Sequence, residues 1–547
     1  MGQPDKAFEW NYGDLFDAVE AVIPGENPAL IHGDQVVTWG AFRHRTNSMA
    51  ANWLSRGFEP GERVAFYLRN HPAYMEGVAA ALKARLVHVN VNYRYVADEV
   101  RYILDNSDAA IVIFGRAFAP AVAAIAGNLP GVRLWLCVED GSTADVPDFA
   151  IPYEALANGG DGAPLSLSRS PDDQIMLYTG GTTGLPKGVI WRHDAARKVL
   201  LNPALSPVIP ADLEQHRAMV EATGRGPVCL PACPLMHGTG LFTALSAMIV
   251  GGTVVTLTSP HLDVDELWCA VRDRRVEQII IVGDAFAKPM LRGLQGAAAG
   301  FDLSSLVAII SSGIMWSVEV KQALLGHLPK VALVDSFGSS EAMGFGMSIM
   351  TAAGEVGTAR FQIGEQTRVF TTDGKAVEPG SGEIGLVARG EPIPSGYHKD
   401  PVKTAAVFKV IDGVRYAIPG DYCTVEADGT ITLIGRGSGC INTAGEKVFP
   451  EEVEEVLKLH PDVEDVLVVG LPDEKWGQAV TAVIELADRG ERTEDLYRGH
   501  VRAHLAAYKA PKRVVFVDRM FRAPNGKADY RLARDFAIEQ LGRDAQV

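Results

Sequence analysis

Eleven consecutive residues, Tyr178-Thr179-Gly180-Gly181-Thr182-Thr183-Gly184-Leu185-Pro186-Lys187-Gly188, put four glycines, three threonines and a lysine into one short segment. Glycines let the backbone fold closely enough for several N–H groups to converge on an anion. The hydroxyls of Thr179, Thr182 and Thr183 add donors to phosphate oxygens, and Lys187 adds a positive charge. The lysine lies between Pro186 and Gly188, so the segment is not the Gly-Lys-Ser/Thr loop of Walker-type kinases and ATPases. Four other segments could join such a site: Asp335 to Glu341, Tyr416 to Asp421, Pro524 to Lys527, and Pro234 to Gly240 with His237. Taken singly, each has a plainer explanation. Ser-Ser-Glu can be a helix N-cap with an acidic first turn, Gly-Asp a turn, Lys527 a solvated charge, and His237 a packed histidine.

The elements that must hold these groups read as α/β. Up to about residue 340, short apolar runs alternate with amphipathic helical patterns: strands at 63–68, 86–89, 109–113, 174–177, 253–257, 278–282, 306–310 and 331–334, helices at 72–83, 98–105, 265–274 and 318–325. Strands apolar throughout and separated by helices predict stacked, largely parallel sheets covered on both faces. After about residue 350 the sequence turns glycine-punctuated and strand-rich, predicting a β-rich subdomain. Gly435-Arg436-Gly437-Ser438-Gly439 has the composition of a mobile linker. We therefore expect a large N-terminal domain over 1–437 and a small mobile α+β domain over 438–547. The small domain is predicted to hold helices at 450–459, 494–505 and 530–538, and strands at 463–469, 479–484 and 513–517.

Bulk properties narrow the function. The 547 residues are 47% apolar, ample for large cores, and carry a net charge of −16. That balance offers no basic field for nucleic acid. Six scattered cysteines form no zinc pattern and read as reduced thiols of a cytoplasmic protein. The polar N-terminus has no signal-peptide core. The uncharged stretch 241–259 is long enough to suggest a membrane span, but Gly251-Gly252 divides it into a helix and a β-branched strand. This leaves peripheral membrane contact open and predicts no transmembrane segment.

In this order and company the motifs resemble those of the adenylate-forming superfamily: acyl- and aryl-CoA synthetases, peptide-synthetase adenylation domains and firefly-type luciferases. The resemblance implies ATP, Mg²⁺ and coenzyme A as cosubstrates and cofactors, and catalytic roles for Lys527, His237, Thr183 and Glu341. Thr179, Gly180, Gly181, Thr182, Thr183 and Lys187 would hold phosphates. Ser312, Gly313, Asp335, Ser336, Phe337, Gly338 and Ser340 would line the nucleotide site, with Phe337 stacked on adenine, Ser340 on phosphate and Glu341 on the metal. Asp421 would accept from the ribose hydroxyls, and Arg436 would contact ribose or phosphate. Lys527, in a Pro-x-x-Gly-Lys turn, would reach the substrate carboxylate and α-phosphate. After pyrophosphate leaves, the small domain would rotate and present Gly445, Glu446 and Lys447 to the CoA channel.

By the same resemblance His237 would gate an acyl pocket lined by Gly238, Gly240, Gly283, Ser312, Gly344 and Gly346. These small residues leave volume open for a long or bulky acid, with Val282, Phe286, Ile314 and Phe345 supplying apolar surface. The chain departs from the common pattern at Gly181, Phe337, Pro419, Ser438 and Asn442; its linker is similar to bacterial synthetases of fatty and steroid side-chain carboxylates. The expected reaction is AMP-forming acyl-CoA synthesis on a long-chain or bulky apolar acid. The rivals are a fatty acyl-AMP ligase, an aryl-CoA ligase, a luciferase-type oxygenase and a catalytically silent acyl- or nucleotide-binding protein. A peptide-synthetase adenylation domain is disfavoured, because no carrier domain follows residue 547 and Ser336 is not acidic. Many members of the superfamily are dimers, which leaves a homodimer open.

Overall fold

A computed structural model of the protein describes residues 10–181, 184–200, 210–314, 316–354, 360–436, 439–443, 446–473, 476–487, 490, 492–505, 507–523 and 526–544. Three described sheets organise it. The first has eight strands, of which Val87–Asn90, Arg63–Tyr67, Ala109–Gly115, Leu134–Val138 and Ile151–Pro152 run parallel. The strand Gln174–Gly181 joins them in parallel beside Val87–Asn90.

The second sheet has a parallel heart of Pro28–His32, Thr253–Thr256, Val228–Pro231, Gln278–Ile281, Ala308–Ser312 and Ala332–Ser339. It continues through antiparallel strands, among them Ala342–Met350, Arg360–Ile363, Ile431–Arg436 and Asp421–Val425, into the β-rich region. The helix Pro72–Lys83 is buried along its whole length. Its start is encoded locally: Pro72 occupies the first turn, and the His71 side chain accepts from the Ala73 N–H.

The stretch 241–259 folds as its composition predicts, into the helix Gly238–Met248 and the strand Thr253–Thr256. Gly251 turns the chain with φ +78°, and a β-carbon on Gly252 would strike the Pro227 and Ala247 carbonyl oxygens at 2.5 and 2.6 Å. Among the described residues no helix is long and apolar enough to cross a membrane.

The third sheet lies in the C-terminal part, with Val463–Asp473 antiparallel and Arg513–Val517 parallel to Gly477–Leu486. The strand Glu446–Val448 stands at its edge beside Ile441–Thr443. The expected junction at Gly437 and Ser438 lies outside the described residues. Because parallel strands share a direction, the C-terminal ends of Val228–Pro231, Gln278–Ile281, Ala308–Ser312 and Ala332–Ser339 open on one edge, where such sheets bind ligands. The candidate residues gather there.

Candidate active site

The glycine–threonine segment is the tip of an antiparallel hairpin rather than a loop between strand and helix. Gln174–Gly181 pairs with Gly184–Arg192, and Thr179 stands opposite Lys187. Thr182 and Thr183 lie outside the described residues, while Gly180 and Gly181 close the first strand. Asn90 anchors the hairpin: its Oδ1 accepts from the Tyr178 N–H at 2.6 Å, and its Nδ2 donates to the carbonyls of Tyr178 at 2.9 Å and Met236 at 2.8 Å. One buried amide thus ties the glycine–threonine hairpin to the backbone immediately before His237. Lys187 is half-buried, 5.8 Å from the centroid of the Tyr397 ring and 4.0 Å from the Asp400 carboxylate.

The acidic motif spans a second hairpin between Ala332–Ser339 and Ala342–Met350. A β-carbon at Gly338 would come 3.1 Å from both the Ala342 oxygen and the Gly344 nitrogen, so the tight reversal suits glycine. Phe337 is buried between Phe345 and Phe361, with ring centroids 5.1 and 5.2 Å away. The Trp191 indole donates to the Ser340 carbonyl at 2.9 Å, and the Tyr397 hydroxyl donates to the Glu341 Oε1 at 2.7 Å. Ser312 stands in register with Ser336, and Gly313 follows with φ +91°. Gly283 holds φ +57°, and its N–H donates to the Ser311 hydroxyl at 2.9 Å.

Asp335 lies in the strand Ala332–Ser339. Its carboxylate pairs with the buried Lys321 ammonium at 2.9 Å, so that side chain is already engaged within the protein. Burial pushes its pKa up, and Lys321 opposes that shift. Two of the expected pocket glycines lie close against backbone. A β-carbon on Gly240 would lie 2.6 Å from the Pro234 oxygen, and one on Gly346 would lie 2.8 Å from the Gln362 oxygen. Their missing side chains admit neighbouring backbone. Gly238 and Gly344 do have room, with nearest approaches of 3.4 Å to Leu177 and 3.5 Å to Val199. Val282, Phe286 and Phe345 are buried, whereas Ile314 is half-buried.

Asp421 is buried, and its backbone pairs in register with Arg436 across adjacent strands. The Arg436, Glu446 and Lys447 side chains and Gly445 lie outside the description, as do Pro524 and Asn525. The turn that follows them is well placed. Gly526 is buried with φ +75°, and a β-carbon there would meet the Ala285 Cβ at 2.8 Å and the Val282 oxygen at 3.2 Å. The Arg522 guanidinium donates to the Gly526 carbonyl at 3.0 Å and pairs with Asp465, while the Lys527 carbonyl accepts from the Ala523 N–H at 2.8 Å. Arg292 pairs with Glu464 at 2.8 Å, and the Lys288 ammonium donates to the Glu464 carbonyl. The C-terminal unit is thereby docked on the segment after Gln278–Ile281 and on the helix Asp284–Gln295. His237 begins the helix Gly238–Met248, and burial, reinforced by the Lys527 charge, pulls its pKa down to about 3. The imidazole is therefore neutral at physiological pH.

The sequence profile of the AMP-binding enzyme family matches residues 17–398, and the profile of the AMP-binding enzyme C-terminal domain matches residues 452–527. The chain belongs to the AMP-binding enzyme family. This AMP-binding enzyme is 41% identical over 535 residues to a 3-oxocholest-4-en-26-oate–CoA ligase of Rhodococcus rhodochrous, covering 96% of this chain and 95% of that one. It is 39% identical over 530 residues to a medium/long-chain-fatty-acid–CoA/3-oxocholest-4-en-26-oate–CoA ligase of Mycobacterium tuberculosis, covering 96% of each. The fold matches the crystal structure of an anthranilate CoA ligase in complex with anthranoyl-AMP, with a TM-score of 0.83, 21% identity, and 98% and 100% of the two chains covered.

The residues present fit a nucleotide–metal group. The Ser339 hydroxyl is buried with no hydrogen-bond partner among the described residues, an oxygen that a phosphate would satisfy. Glu341 commits one described carboxylate oxygen to Tyr397. Among the described residues no cluster of three or more His, Cys, Asp or Glu side chains could hold a metal. One carboxylate completed by substrate phosphates and water is a coordination set that suits Mg²⁺. Sequence reasoning missed Asn90 and Tyr397. The signal for Asn90 was an amide closing the short buried parallel strand Val87–Asn90.

Proposed function

We propose that this AMP-binding enzyme is a cytoplasmic acyl-CoA synthetase that activates a medium- or long-chain fatty acid or a steroid side-chain carboxylate as an acyl-adenylate and transfers the acyl group to coenzyme A. The observation that carries the reading is the docking of the Gly526 turn, one residue before Lys527, on Val282 and Ala285.

In the first half-reaction a carboxylate oxygen of the acid attacks the α-phosphorus of ATP, and the bond to pyrophosphate breaks. Lys527 binds the two mutually repelling anions, carboxylate and α-phosphate, and so makes their approach tolerable. The backbone of the phosphate hairpin and Lys187 hold the β- and γ-phosphates, and Asp421 accepts from the ribose hydroxyls. Glu341 would hold Mg²⁺, which when bound would supply neutralising charge for the phosphate oxygens. A neutral His237 adds no competing cation and closes the acyl site from one side.

In the second half-reaction the CoA sulfur attacks the acyl carbonyl and AMP leaves. Lys527 then has no further task, and rotation at 435–439 withdraws it while the edge strand at 446–448 turns toward the incoming thiol. The relatives' acids and the buried Val282, Phe286 and Phe345 support an apolar substrate, whose burial contributes about 25 cal/mol per Å². Peripheral membrane contact, for delivery of such an acid, and a homodimer belong to this reading; sedimentation with and without lipid vesicles tests both.

The test is an assay of purified protein with ATP, Mg²⁺ and acids from short to long fatty, aryl and steroid side-chain carboxylates, following pyrophosphate and AMP with and without CoA. CoA-dependent turnover to a thioester of a long-chain or steroid acid is the expected result. Pyrophosphate release on which CoA has no effect would make it an acyl-AMP ligase. No release with any acid would contradict an activating function.

A further inference from the structure

Tyr397 touches both halves of the phosphate site, yet it belongs to neither motif. It lies in the two-residue strand Gly396–Tyr397, paired with Val189 of the phosphate hairpin, 56 residues from Glu341. The residue is 8% exposed, and its backbone N–H donates to the Thr404 hydroxyl at 2.9 Å. An edge contact with Phe408, centroids 5.9 Å apart, sets the ring plane. Its hydroxyl, 2.7 Å from the Glu341 Oε1, must be the donor, because an ionised carboxylate only accepts. Hydrogen bonds of this kind to a charged acceptor are strong and directional. The face of the same ring stands 5.8 Å from the Lys187 ammonium, within cation–π reach. The Trp191 indole, from the same hairpin, holds the neighbouring Ser340 carbonyl.

We infer that Tyr397 is a positioning residue that fixes the Glu341 carboxylate for the magnesium of MgATP and sets Lys187 opposite it on the same polyphosphate. The inference rests on the reading of Glu341 as the metal-holding residue. Of the two Glu341 oxygens, Oε1 is occupied by the tyrosine, which leaves Oε2 to face a cation. Without the hydroxyl, the carboxylate is free to rotate away from the metal or to pair with the Lys187 ammonium. The packed ring and strand are retained in Tyr397→Phe, so the hydroxyl can be tested without emptying the core.

The experiment compares wild type, Tyr397→Phe and Glu341→Gln. With ATP bound and no acid present, Mn²⁺ is titrated as the metal probe and its free fraction is read by electron paramagnetic resonance. ATP binding in EDTA and the thermal midpoint are measured alongside. We expect Tyr397→Phe to weaken Mn²⁺ binding about tenfold, the lower end for partners that orient a metal ligand, with metal-free ATP binding and thermal midpoint unchanged. Glu341→Gln should weaken it further, and adding Tyr397→Phe to Glu341→Gln should cost little more. If Glu341→Gln weakens Mn²⁺ binding and Tyr397→Phe does not, the positioning role falls while the metal reading stands. If Glu341→Gln leaves it unchanged, the metal reading falls and takes this role with it. Equal loss of metal-free ATP binding in Tyr397→Phe would make the tyrosine merely structural and overturn the inference.

Discussion

Gly526 and Ala285 meet so closely across the C-terminal and N-terminal parts that a β-carbon on the glycine would come within 2.8 Å of the alanine Cβ. Gly526 also holds φ +75°, which an L side chain adopts at a penalty of roughly 1–2 kcal/mol. The Gly526→Ala variant is therefore expected to disfavour the docked pose selectively. Pyrophosphate release should fall by about tenfold or more, since about 1.4 kcal/mol is a factor of ten. Thioester formation from supplied acyl-adenylate should change little, and stopped assays of each half-reaction check this.

Asn90 leads to a prediction about stability and activity together. Replacing it with alanine leaves the buried Tyr178 N–H and the Tyr178 and Met236 carbonyls without the amide that bridges them. Each unsatisfied buried group costs about 1–3 kcal/mol. Asn90→Ala should lose about 2–4 kcal/mol in urea unfolding. Its pyrophosphate release should also drop, because the glycine–threonine hairpin and His237 no longer share an anchor. A variant of wild-type stability would contradict the bridge.

Acid stability follows from histidines that burial keeps neutral. His88 and His193 are 0% and 1% exposed, and desolvation lowers their pKa from 6.5 to about 3 and about 4. Above pH 6.5 neither folded nor unfolded chain binds the proton. Below 6.5 the unfolded chain takes it up and the folded chain does not, so stability is lost as pH falls toward the folded values. Each site contributes up to about 1.4 kcal/mol per pH unit within that window. The urea midpoint should decline from pH 7 to pH 5, and the His88→Gln/His193→Gln double variant should decline less steeply. An equal slope in the two proteins would refute this.

Much of the scaffold was legible locally, because local chemistry decides it. Pro72 opens a helix that runs to Lys83, and Gly251-Gly252 breaks an apolar run into helix and strand. The parallel strands announce themselves as apolar runs such as Ile279-Ile280-Ile281. What could not be read depends on partners far along the chain. The antiparallel partner of the phosphate strand starts inside the glycine–threonine motif itself, at Gly184, and contains a proline, which hides the hairpin. The Lys321 partner of Asp335 lies 14 residues away and carries no motif that would announce it. The close backbone approach at Gly240 and Gly346 has no local signal either. Tyr397 sits in a stretch with no chemical signature, and only its approach to Glu341 reveals a use.

The most direct test of the account is the effect of Lys527→Ala on the two half-reactions. Pyrophosphate release from ATP and acid should fall by about a hundredfold or more, the range for removing one preorganised charge-stabilising group. Thioester formation from supplied acyl-adenylate and CoA should stay close to wild type. Equal loss of both steps, or an unimpaired first step, would contradict a C-terminal lysine that serves adenylation alone.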